Sequence, residues 1–536
     1  MAQNRNPWPV LLVTVLGFFM IMLDTTIVYV ATPSILSGLH ASLDEVLWVF
    51  NGYLLTYAVL LITGGRLGDL VGPRQMFALG LVIFTGASAL CGLSHDVNQL
   101  IAARVIQGVG GAFLAPQSLP ILMSIFPPER RGAAFGIVGA VIGVSTVAGP
   151  TLGGWIITNW DWRWIFFINV PIGILTFIGT FVVIPDVRPG LRHRLDLVGV
   201  ALSSVALFAI VYGLIEGQRY DWGTITGWLT IPMVIGAGIA LALAFLAWEW
   251  RQPEPLVPLS LFRNRNFSLM NCTSAGMSFA LQGIFIVIPI YMQSVLGMSA
   301  LQSGLTVAPM SLSAAILAPI AGRLSDRFGG KYLLMAGLAI FGVGTGIVTL
   351  VASASSTSAT FILPWVIAGV GLGLVFAPMT TVAMQDIRPV MAGAASGVLN
   401  TTRQLGAVIG AAVIGAVLQN QLASALHDKA VGAATQLPPQ FQARFVDGFS
   451  QAAKSGLQVG RGQTGASLPA GIPAQFAARV GQLIHDVFVS GYITAMRPTV
   501  AVSVGVLAVA SLSCLLVVNR RRTAGQVAPA AEVAIA

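Results

Sequence analysis

Three ionisable residues, Asp24, Arg104 and Arg403, lie well inside long apolar segments of the 536-residue chain. A charged side chain at the centre of a membrane span costs roughly 3 kcal/mol or more, so such residues are functional candidates. Asp24 and Arg104 fall at overlapping depths, which makes an ion pair feasible. A conformational change that alters the burial or the pairing of a carboxyl group can load and release a proton. Asp24 is therefore the candidate proton carrier and Arg104 its modulator, and the alternative is a fixed structural pair.

Arg403 stands in a polar stretch that is too costly to face lipid, so it is expected to line a cavity or to bond a neighbouring helix. Aromatic, amide and thioether side chains in other spans suit contacts with amphipathic molecules, although each could serve helix packing instead. The candidate cavity residues are Tyr53, Tyr57, Gln117, Phe285, Tyr291, Phe376, Met379, Asn400 and Arg403. Glu216, near the end of an apolar segment, is expected to be a solvated helix end, and a site for a cationic substrate is the alternative.

The elements that position these residues follow from composition: 56% of the chain is hydrophobic and only 9% is charged. Soluble proteins have roughly a quarter of their residues charged, so an ordinary soluble protein is excluded. Apolar runs long enough to span a bilayer predict an all-α polytopic membrane protein with 14 transmembrane helices. The predicted spans are 9–32, 46–65, 76–94, 99–122, 133–155, 164–184, 196–216, 227–250, 267–292, 302–321, 332–352, 359–384, 393–418 and 497–518.

The basic residues indicate the orientation of these spans. Most of them, including Arg188, Arg192 and Arg194, fall in connections on the side of both termini, whereas the short connections of the other side carry only Arg163 and Arg219. Because Lys and Arg are retained in the cytoplasm, both termini are predicted to be cytoplasmic. The net charge of +9 is thereby a topology signal and not a nucleic-acid site.

One connection, residues 419–496 on the predicted outer side, is long. Within it apolar residues recur at helical spacing, which predicts either an amphipathic helix on the membrane interface or a cap packed on the rest of the protein. These residues are Phe476, Val480, Leu483, Ile484, Val487 and Phe488.

Two connections share the pattern G-R-L-x-D-x-x-G-x-[RK], one from Gly65 to Arg74 and one from Gly322 to Lys331. Their offset of eight spans predicts a repeated six-helix unit with two linking helices between the copies, and parallel repeats of this kind hold a site at the midplane. The predicted parts are 1–190, 191–262, 263–518 and a tail, 519–536. The glycines permit close helix approach, and each Asp can sit at the N-terminus of a neighbouring helix. The gating candidates in these loops are Gly65, Gly68, Asp69, Arg74 and Asp326.

The fifth span is rich in glycine and contains Pro150. Small residues allow close helix packing, and proline bends a helix, so a sliding, kinked interface is predicted, with packing alone as the alternative. The expected small-residue face consists of Gly139, Gly143, Gly149, Gly153 and Gly154.

These motifs give the chain a specific resemblance over essentially its whole length. It resembles the major facilitator superfamily, and within it the fourteen-span drug:proton antiporters. The segments on which this resemblance rests are Gly65 to Arg74, Leu100 to Gly111 (LIAARVIQGVGG), Gly149 to Gly154 (GPTLGG) with Gly143, Leu23 to Val28, Trp162 to Gly173 (WRWIFFINVPIG), Tyr291 to Gln293 and Asn400 to Gln404. The resemblance implies the major facilitator fold and proton-driven export of amphipathic drugs by alternating access.

The sequence lacks motifs that several enzyme classes would need. No lysine stands in a Gly-Lys-Ser/Thr phosphate loop, and neither H-E-x-x-H nor G-x-S-x-G occurs. We expect no metal, no cofactor besides the proton gradient, a monomer in the inner (plasma) membrane, and small amphipathic molecules, protons and lipid as partners. The alternatives are a dedicated exporter of one endogenous metabolite or lipid, and a non-transporting membrane receptor or scaffold.

Overall fold

The computed structural model describes residues 6–39, 41, 43–127, 130–186, 196–217, 219–220, 222–252, 255–388, 391–454, 459–460, 463–464 and 474–518. The predicted basic residues Arg188, Arg192 and Arg194, the tail 519–536, and the side chains of Pro150 and Phe476 lie outside the described residues.

The first half of the chain forms six long helical crossings. Its helices are α1 Trp8–Gly38, α2 Leu43–Val71, α3 Pro73–Gly92, α4 Val97–Leu114, α5 Ser118–Ile125, α6 Arg131–Asn159, α7 Trp164–Phe167 and α8 Asn169–Val183. The short 3-10 turn Ala115–Gln117 joins α4 to α5, and α7 runs almost directly into α8, so each of these pairs makes one crossing.

Two linking helices follow, and then the second half. The linking helices are α9 Leu197–Glu216 and α10 Ile231–Glu249. The second half contains α11 Arg265–Ile290, α12 Ala300–Phe328, α13 Lys331–Val351, α14 Ser358–Gly373, α15 Phe376–Met384, α16 Ala392–Ala434, α17 Pro439–Lys454 and α18 Ala474–Ser513. Two short antiparallel hairpins, β1 Thr224–Thr226 with β2 Leu229–Thr230 and β3 Val459–Gly460 with β4 Gln463–Thr464, are small departures from the all-α prediction.

Thirteen helical segments of the described residues are long and apolar enough to cross a membrane. The 29-residue helix α6 is also of spanning length, and its apolar part is described over Arg131–Ser145. The structure is therefore that of a multi-pass helical membrane protein, and it is consistent with the predicted count of fourteen.

Polar side chains fix where several helices begin. Asp96 accepts a hydrogen bond from the backbone N–H of Gln99 at the start of α4, and Asp196 accepts one from Gly199 at the start of α9, both at 2.9 Å. Ser299 and Gln302 form a reciprocal capping box at the start of α12. Such caps satisfy backbone donors that have no partner within the helix, so they define the helix ends independently of the membrane.

The helices form two bundles that contact each other through two pairs of helices. Buried apolar clusters fill the first bundle around Phe77 and Phe84, and a larger cluster fills the second bundle around Phe341 and Trp365. Across the interface α6 packs against α12, and α2 packs against α16. The linking helices α9 and α10 pack on each other, and α9 also contacts α2 and α16. This is the predicted arrangement of two bundles with two extra helices.

The described part of residues 419–496 is largely helical and forms a cap. Helix α16 continues to Ala434, α17 follows, and α18 already runs through the second part of the segment. The predicted apolar positions Val480, Leu483, Ile484, Val487 and Phe488 are buried in one cluster with residues of α16 and α17, including Leu426, Ala430, Phe445 and Phe449. This burial favours the cap over the interfacial helix, since a helix lying on lipid would turn these side chains away from protein.

Candidate functional site: a buried carboxylate, two interbundle contacts and a central cavity

Asp24, on α1, is fully buried and surrounded by hydrogen-bond donors. Its Oδ2 forms an ion pair with Arg104 Nη1 at 2.6 Å. Its Oδ1 accepts hydrogen bonds from Gln107 Nε2 at 2.8 Å and from Asn169 Nδ2 at 3.0 Å. Both oxygens thus have hydrogen-bond partners, and the structure brings together the two residues that were predicted for proton coupling.

The surroundings of Arg104 hold its charge in place. Its Nε donates to the carbonyl oxygen of Val49 on α2 at 3.1 Å, and its guanidinium lies over the ring of Tyr53, 4.2 Å from the centroid. The side chain is only 1% exposed. An isolated buried charge is costly, so a change at Asp24 that removed the negative charge would leave Arg104 uncompensated. The ion pair therefore links the charge of Asp24 to the packing of α1, α2 and α4.

Asn169 and Ser88 are site residues that the sequence prediction missed. Asn169, the first residue of α8, donates from Nδ2 to both Asp24 Oδ1 and Ser88 Oγ, the latter at 3.1 Å. Ser88, on α3, donates in turn to the carbonyl oxygen of Phe166 at 2.9 Å. A search for charged residues in apolar spans passes over neutral ones. The available signal was an amide inside the otherwise apolar segment Trp164 to Gly173.

Two carboxylates bind helix N-termini of the opposite bundle. Asp69, at the end of α2, accepts hydrogen bonds from the backbone N–H groups of Gly393 and Ala394 at 2.9 and 2.8 Å, at the start of α16. Asp326, at the end of α12, accepts hydrogen bonds from Gly132 and Ala133 at 2.9 and 3.1 Å, at the start of α6. A carboxylate at this position satisfies free backbone donors and complements the helix dipole. We name these two pairs the interbundle contacts.

Glycines allow the interbundle contacts to form. A Cβ on Gly65 would lie 2.5 Å from the carbonyl oxygen of Gly393, and one on Gly322 would overlap the carbonyl oxygen of Gly132. Any larger residue at either position would push the bundles apart. Gly68 has a different role, since a Cβ there would overlap the side chain of Gln117 within the first bundle.

Arg74 lies beside the first interbundle contact in sequence but binds its own bundle. Its Nη2 donates to the carbonyl oxygen of Phe181 on α8 at 3.1 Å, and its guanidinium lies 5.0 Å from the centroid of that ring. The predicted gating residue Arg74 therefore fixes the start of α3 against α8.

A cavity of about 60 Å³ lies between the bundles. Four of the predicted cavity residues line it, namely Phe376, Met379, Asn400 and Arg403. Arg403 Nη2 donates to Asn400 Oδ1 at 2.9 Å. Pockets for drug-sized ligands have volumes of about 300–1,000 Å³, so the cavity is contracted in this conformation.

The other five predicted cavity residues do not line this cavity. Tyr53 and Tyr57 stack on each other inside the first bundle at 5.9 Å between ring centroids. Gln117 Nε2 donates to the carbonyl oxygen of Gly64 at 2.8 Å and ties the α4–α5 crossing to α2. Phe285 packs against the core of the second bundle. Tyr291 is fully buried in that bundle, where its hydroxyl donates to the carbonyl oxygen of Ser353 at 2.7 Å.

The glycines of α6 face two different neighbours. Gly139 and Gly143 approach the second bundle at Phe376 and Ser311, whereas Gly149 and Gly153 approach α1 at Thr26 and Ile27. The described contacts do not place Gly154 on either face, and its assignment to the packing face stays a prediction. The change of neighbour along α6 follows from helix geometry, because successive positions rotate around the axis.

Two further acidic residues are buried away from the cavity. Glu216 is 4% exposed and its Oε2 pairs with Arg219 Nη1 at 3.2 Å, so the expectation of a solvated helix end was wrong. Glu249, which the sequence prediction missed, is 2% exposed and accepts a hydrogen bond from the backbone N–H of Val257 at 2.9 Å. This bond ties the end of α10 to the connection that leads into α11. Among the described residues no group of His, Cys, Asp or Glu is arranged to hold a metal ion.

Comparison with known proteins identifies the family of this chain. The sequence profile of the Major Facilitator Superfamily matches residues 14–411, and the chain belongs to this family of membrane transporters. An uncharacterised transporter of the same type from Mycobacterium tuberculosis is 40% identical, with 78% of this chain and 72% of the relative covered. The tetracenomycin C resistance and export protein of Streptomyces glaucescens is 35% identical, with 94% and 91% covered.

A solved structure supports the fold. The human organic anion transporter MFSD10 superposes with a TM-score of 0.61 at 12% identity, covering 95% of this chain and 100% of that one. At this identity the likeness concerns the fold alone. The predicted family and fold class are thereby confirmed.

Proposed function

We propose that this protein is a proton-coupled exporter of drugs or other amphipathic small molecules, working by alternating access in the plasma membrane with both termini in the cytoplasm. The family membership and the relative named as a resistance and export protein support export. The distribution of basic residues supports the orientation. The proton gradient supplies the driving force without a bound cofactor.

The observation that carries the proposal is the fully buried carboxylate of Asp24 with its three donors, Arg104, Gln107 and Asn169. A carboxylate accepts all three bonds, whereas a protonated carboxyl group has a hydrogen in place of one acceptor. Loading a proton on Asp24 therefore needs these donors to rearrange. A movement of α1 relative to α4 and α8 is the change that couples proton binding to conformation.

The interbundle contacts supply the other half of the cycle. Both lie on the side predicted to be cytoplasmic, so this conformation is closed to the cytoplasm. Hydrogen bonds to charged groups contribute about 1.5–3 kcal/mol each, so opening this side costs several kcal/mol unless substrate binding or deprotonation offsets it. In the proposed cycle Asp24 takes a proton from outside as substrate leaves, and releases it inside before the next substrate loads.

The experiment that tests the proposal is substrate-triggered proton movement in inverted vesicles that hold a pH gradient. A panel of amphipathic compounds should dissipate the gradient with the wild type and not with Asp24→Asn. The matched control is Asp161→Asn, which removes a half-exposed carboxylate that pairs with Arg163 in a connection between helices. Equal dissipation by wild type and Asp24→Asn would remove Asp24 as the proton carrier, and no dissipation with any compound would count against antiport.

A further inference from the structure

The central cavity carries a positive charge and no negative one. Fourteen residues line it, and Arg403 is the sole ionisable side chain among them. A cavity built for cationic drugs would be expected to present a carboxylate, as buried charges need an opposite charge. The sign of the charge is therefore informative about the substrate, provided that the protein is the exporter proposed above.

Asp24 does not supply the missing negative charge. It does not line the cavity, and its two oxygens are taken by Arg104, Gln107 and Asn169. A cationic ligand in the cavity would have to compete with an arginine for that carboxylate. The cavity lining offers a cation no carboxylate, and the charged group that faces the ligand is itself a guanidinium.

Arg403 retains donors for a ligand. Its guanidinium donates to Asn400 Oδ1 and faces the hydroxyl of Tyr57, and it forms no ion pair within the described part of the chain. A guanidinium has five N–H donors in a planar fork that matches the two oxygens of a carboxylate. The donors not used by protein groups are available for bidentate binding of an anionic oxygen pair.

Two hydroxyl groups in the cavity wall have no partner in the part of the chain that the structure describes. Ser118 Oγ and Ser274 Oγ are buried and accept or donate no hydrogen bond there, and both residues line the cavity with Arg403. A buried polar group without a partner costs free energy, and a ligand oxygen would recover it. Apart from Asn400 and Thr380, the rest of the wall is apolar, with Phe18, Phe135 and Phe376 among its members.

We propose that the substrates of this site are aromatic or apolar molecules that carry a carboxylate or another anionic oxygen, with Arg403 as the residue that binds the anion. The apolar wall takes the hydrocarbon body of the molecule, and the serine hydroxyls take further oxygens. Lipophilic cations are disfavoured because their charge would face Arg403 without a counter-ion. The cavity must widen to hold such a ligand, and it can do so when the two bundles move apart.

The test uses three anthracene derivatives that share one substitution position and carry a carboxylate, its methyl ester, or a trimethylammonium group. Their fluorescence reports binding to the full-length protein in lipid nanodiscs at neutral pH without a proton gradient. The wild type should bind the carboxylate at least tenfold more tightly than the ammonium compound, with the ester between them. Because no gradient is present, this result does not depend on proton coupling.

Variants at position 403 test whether Arg403 causes the preference for the carboxylate. Arg403→Gln should abolish the preference for the carboxylate while leaving ester binding within threefold, and Arg403→Lys should keep part of the preference even if the glutamine variant folds poorly. The control Arg444→Gln makes the same charge change at an exposed position on α17, outside the cavity, and should change nothing. Tighter binding of the ammonium compound, failure of the carboxylate to bind, or a preference that survives Arg403→Gln would overturn the proposal. The vesicle experiment tests proton coupling independently of this binding preference.

Discussion

Asp69 and Asp326 make the same contact in opposite directions across the molecule. Each carboxylate, at the end of one helix, accepts two consecutive backbone N–H groups in the first turn of a helix of the other bundle. The four distances fall between 2.8 and 3.1 Å. The two copies of the repeated loop thus form two equivalent interbundle contacts on one side of the protein.

Replacing either carboxylate should weaken its interbundle contact and lower the population of the closed conformer. Asp326→Asn keeps the shape of the side chain but removes its charge, and loss of a charge-assisted hydrogen bond costs about 1.5–3 kcal/mol, which corresponds to a shift of about ten- to a hundredfold in the ratio of closed to open conformers. Spin labels at the ends of α2 and α12 would report the shift as a larger population at long distance. An unchanged distance distribution in both Asp69→Asn and Asp326→Asn would contradict a closing role.

Gly65 and Gly86 form a matched pair for testing close approach. Gly65→Ala places a Cβ against the carbonyl oxygen of Gly393, whereas no described atom lies within 4 Å of a Cβ placed on Gly86, an exposed position of α3. Alanine is favoured over glycine within a helix by roughly 0.5–1 kcal/mol, so Gly86→Ala should be neutral or slightly stabilising while Gly65→Ala should destabilise the closed conformer. Thermal unfolding in detergent and the spin-label distances measure the two effects. Equal behaviour of the two variants would show that the bundles do not meet at Gly65.

Asn169 should tune the proton reaction without carrying the proton. Asn169→Ala removes one of the three donors to the Asp24 carboxylate, and loss of a hydrogen bond to a charged group costs about 1.5–3 kcal/mol. The rate of gradient-driven transport should therefore fall, while exchange of labelled for unlabelled substrate, which needs no proton, should continue. Asn159→Ala is the control, because among the described residues the Asn159 amide donates to the carbonyl oxygen of Trp155 within its own helix. Gradient-driven transport equal to that of the wild type would remove Asn169 from the coupling network.

An anionic substrate makes transport sensitive to voltage. If one proton enters for each carboxylate molecule that leaves, two charges move in the same electrical direction, and each charge gains about 2.3 kcal/mol per 100 mV. Export of the anthracene carboxylate should therefore accelerate under a potential that is negative on the cytoplasmic side, even without a pH gradient. Setting the potential with potassium and valinomycin tests this. A rate that is independent of potential would contradict one-for-one exchange of a proton for an anion.

The sequence identified the charged part of the site well, because an Asp and an Arg within apolar spans stand out against their surroundings. Asp24 and Arg104 form the ion pair, and the repeated loop placed Asp69 and Asp326 at helix N-termini. Neutral members such as Asn169 and Ser88 carry no comparable signal, since serine and asparagine also occur in spans as helix-packing residues.

Side-chain direction was the main source of error. Tyr291 and Phe376 look alike as aromatic residues in apolar spans, but Tyr291 points into its own bundle and Phe376 lines the cavity. Which side of a helix faces the cavity depends on how the two bundles meet, and hydropathy does not distinguish a buried core from a buried cavity wall. The cap over 419–496 was similarly ambiguous, because loss of apolar character ends a membrane span without ending a helix.

The most direct test of the central claim separates exchange from uphill transport in one variant. Vesicles that contain Asp24→Asn should still exchange labelled for unlabelled anthracene carboxylate across the membrane, since exchange needs the cavity and the moving bundles but no proton. The same vesicles should fail to accumulate the compound when a pH gradient is imposed, whereas the wild type does both. Accumulation by Asp24→Asn at the wild-type level would contradict the assignment of the proton to Asp24.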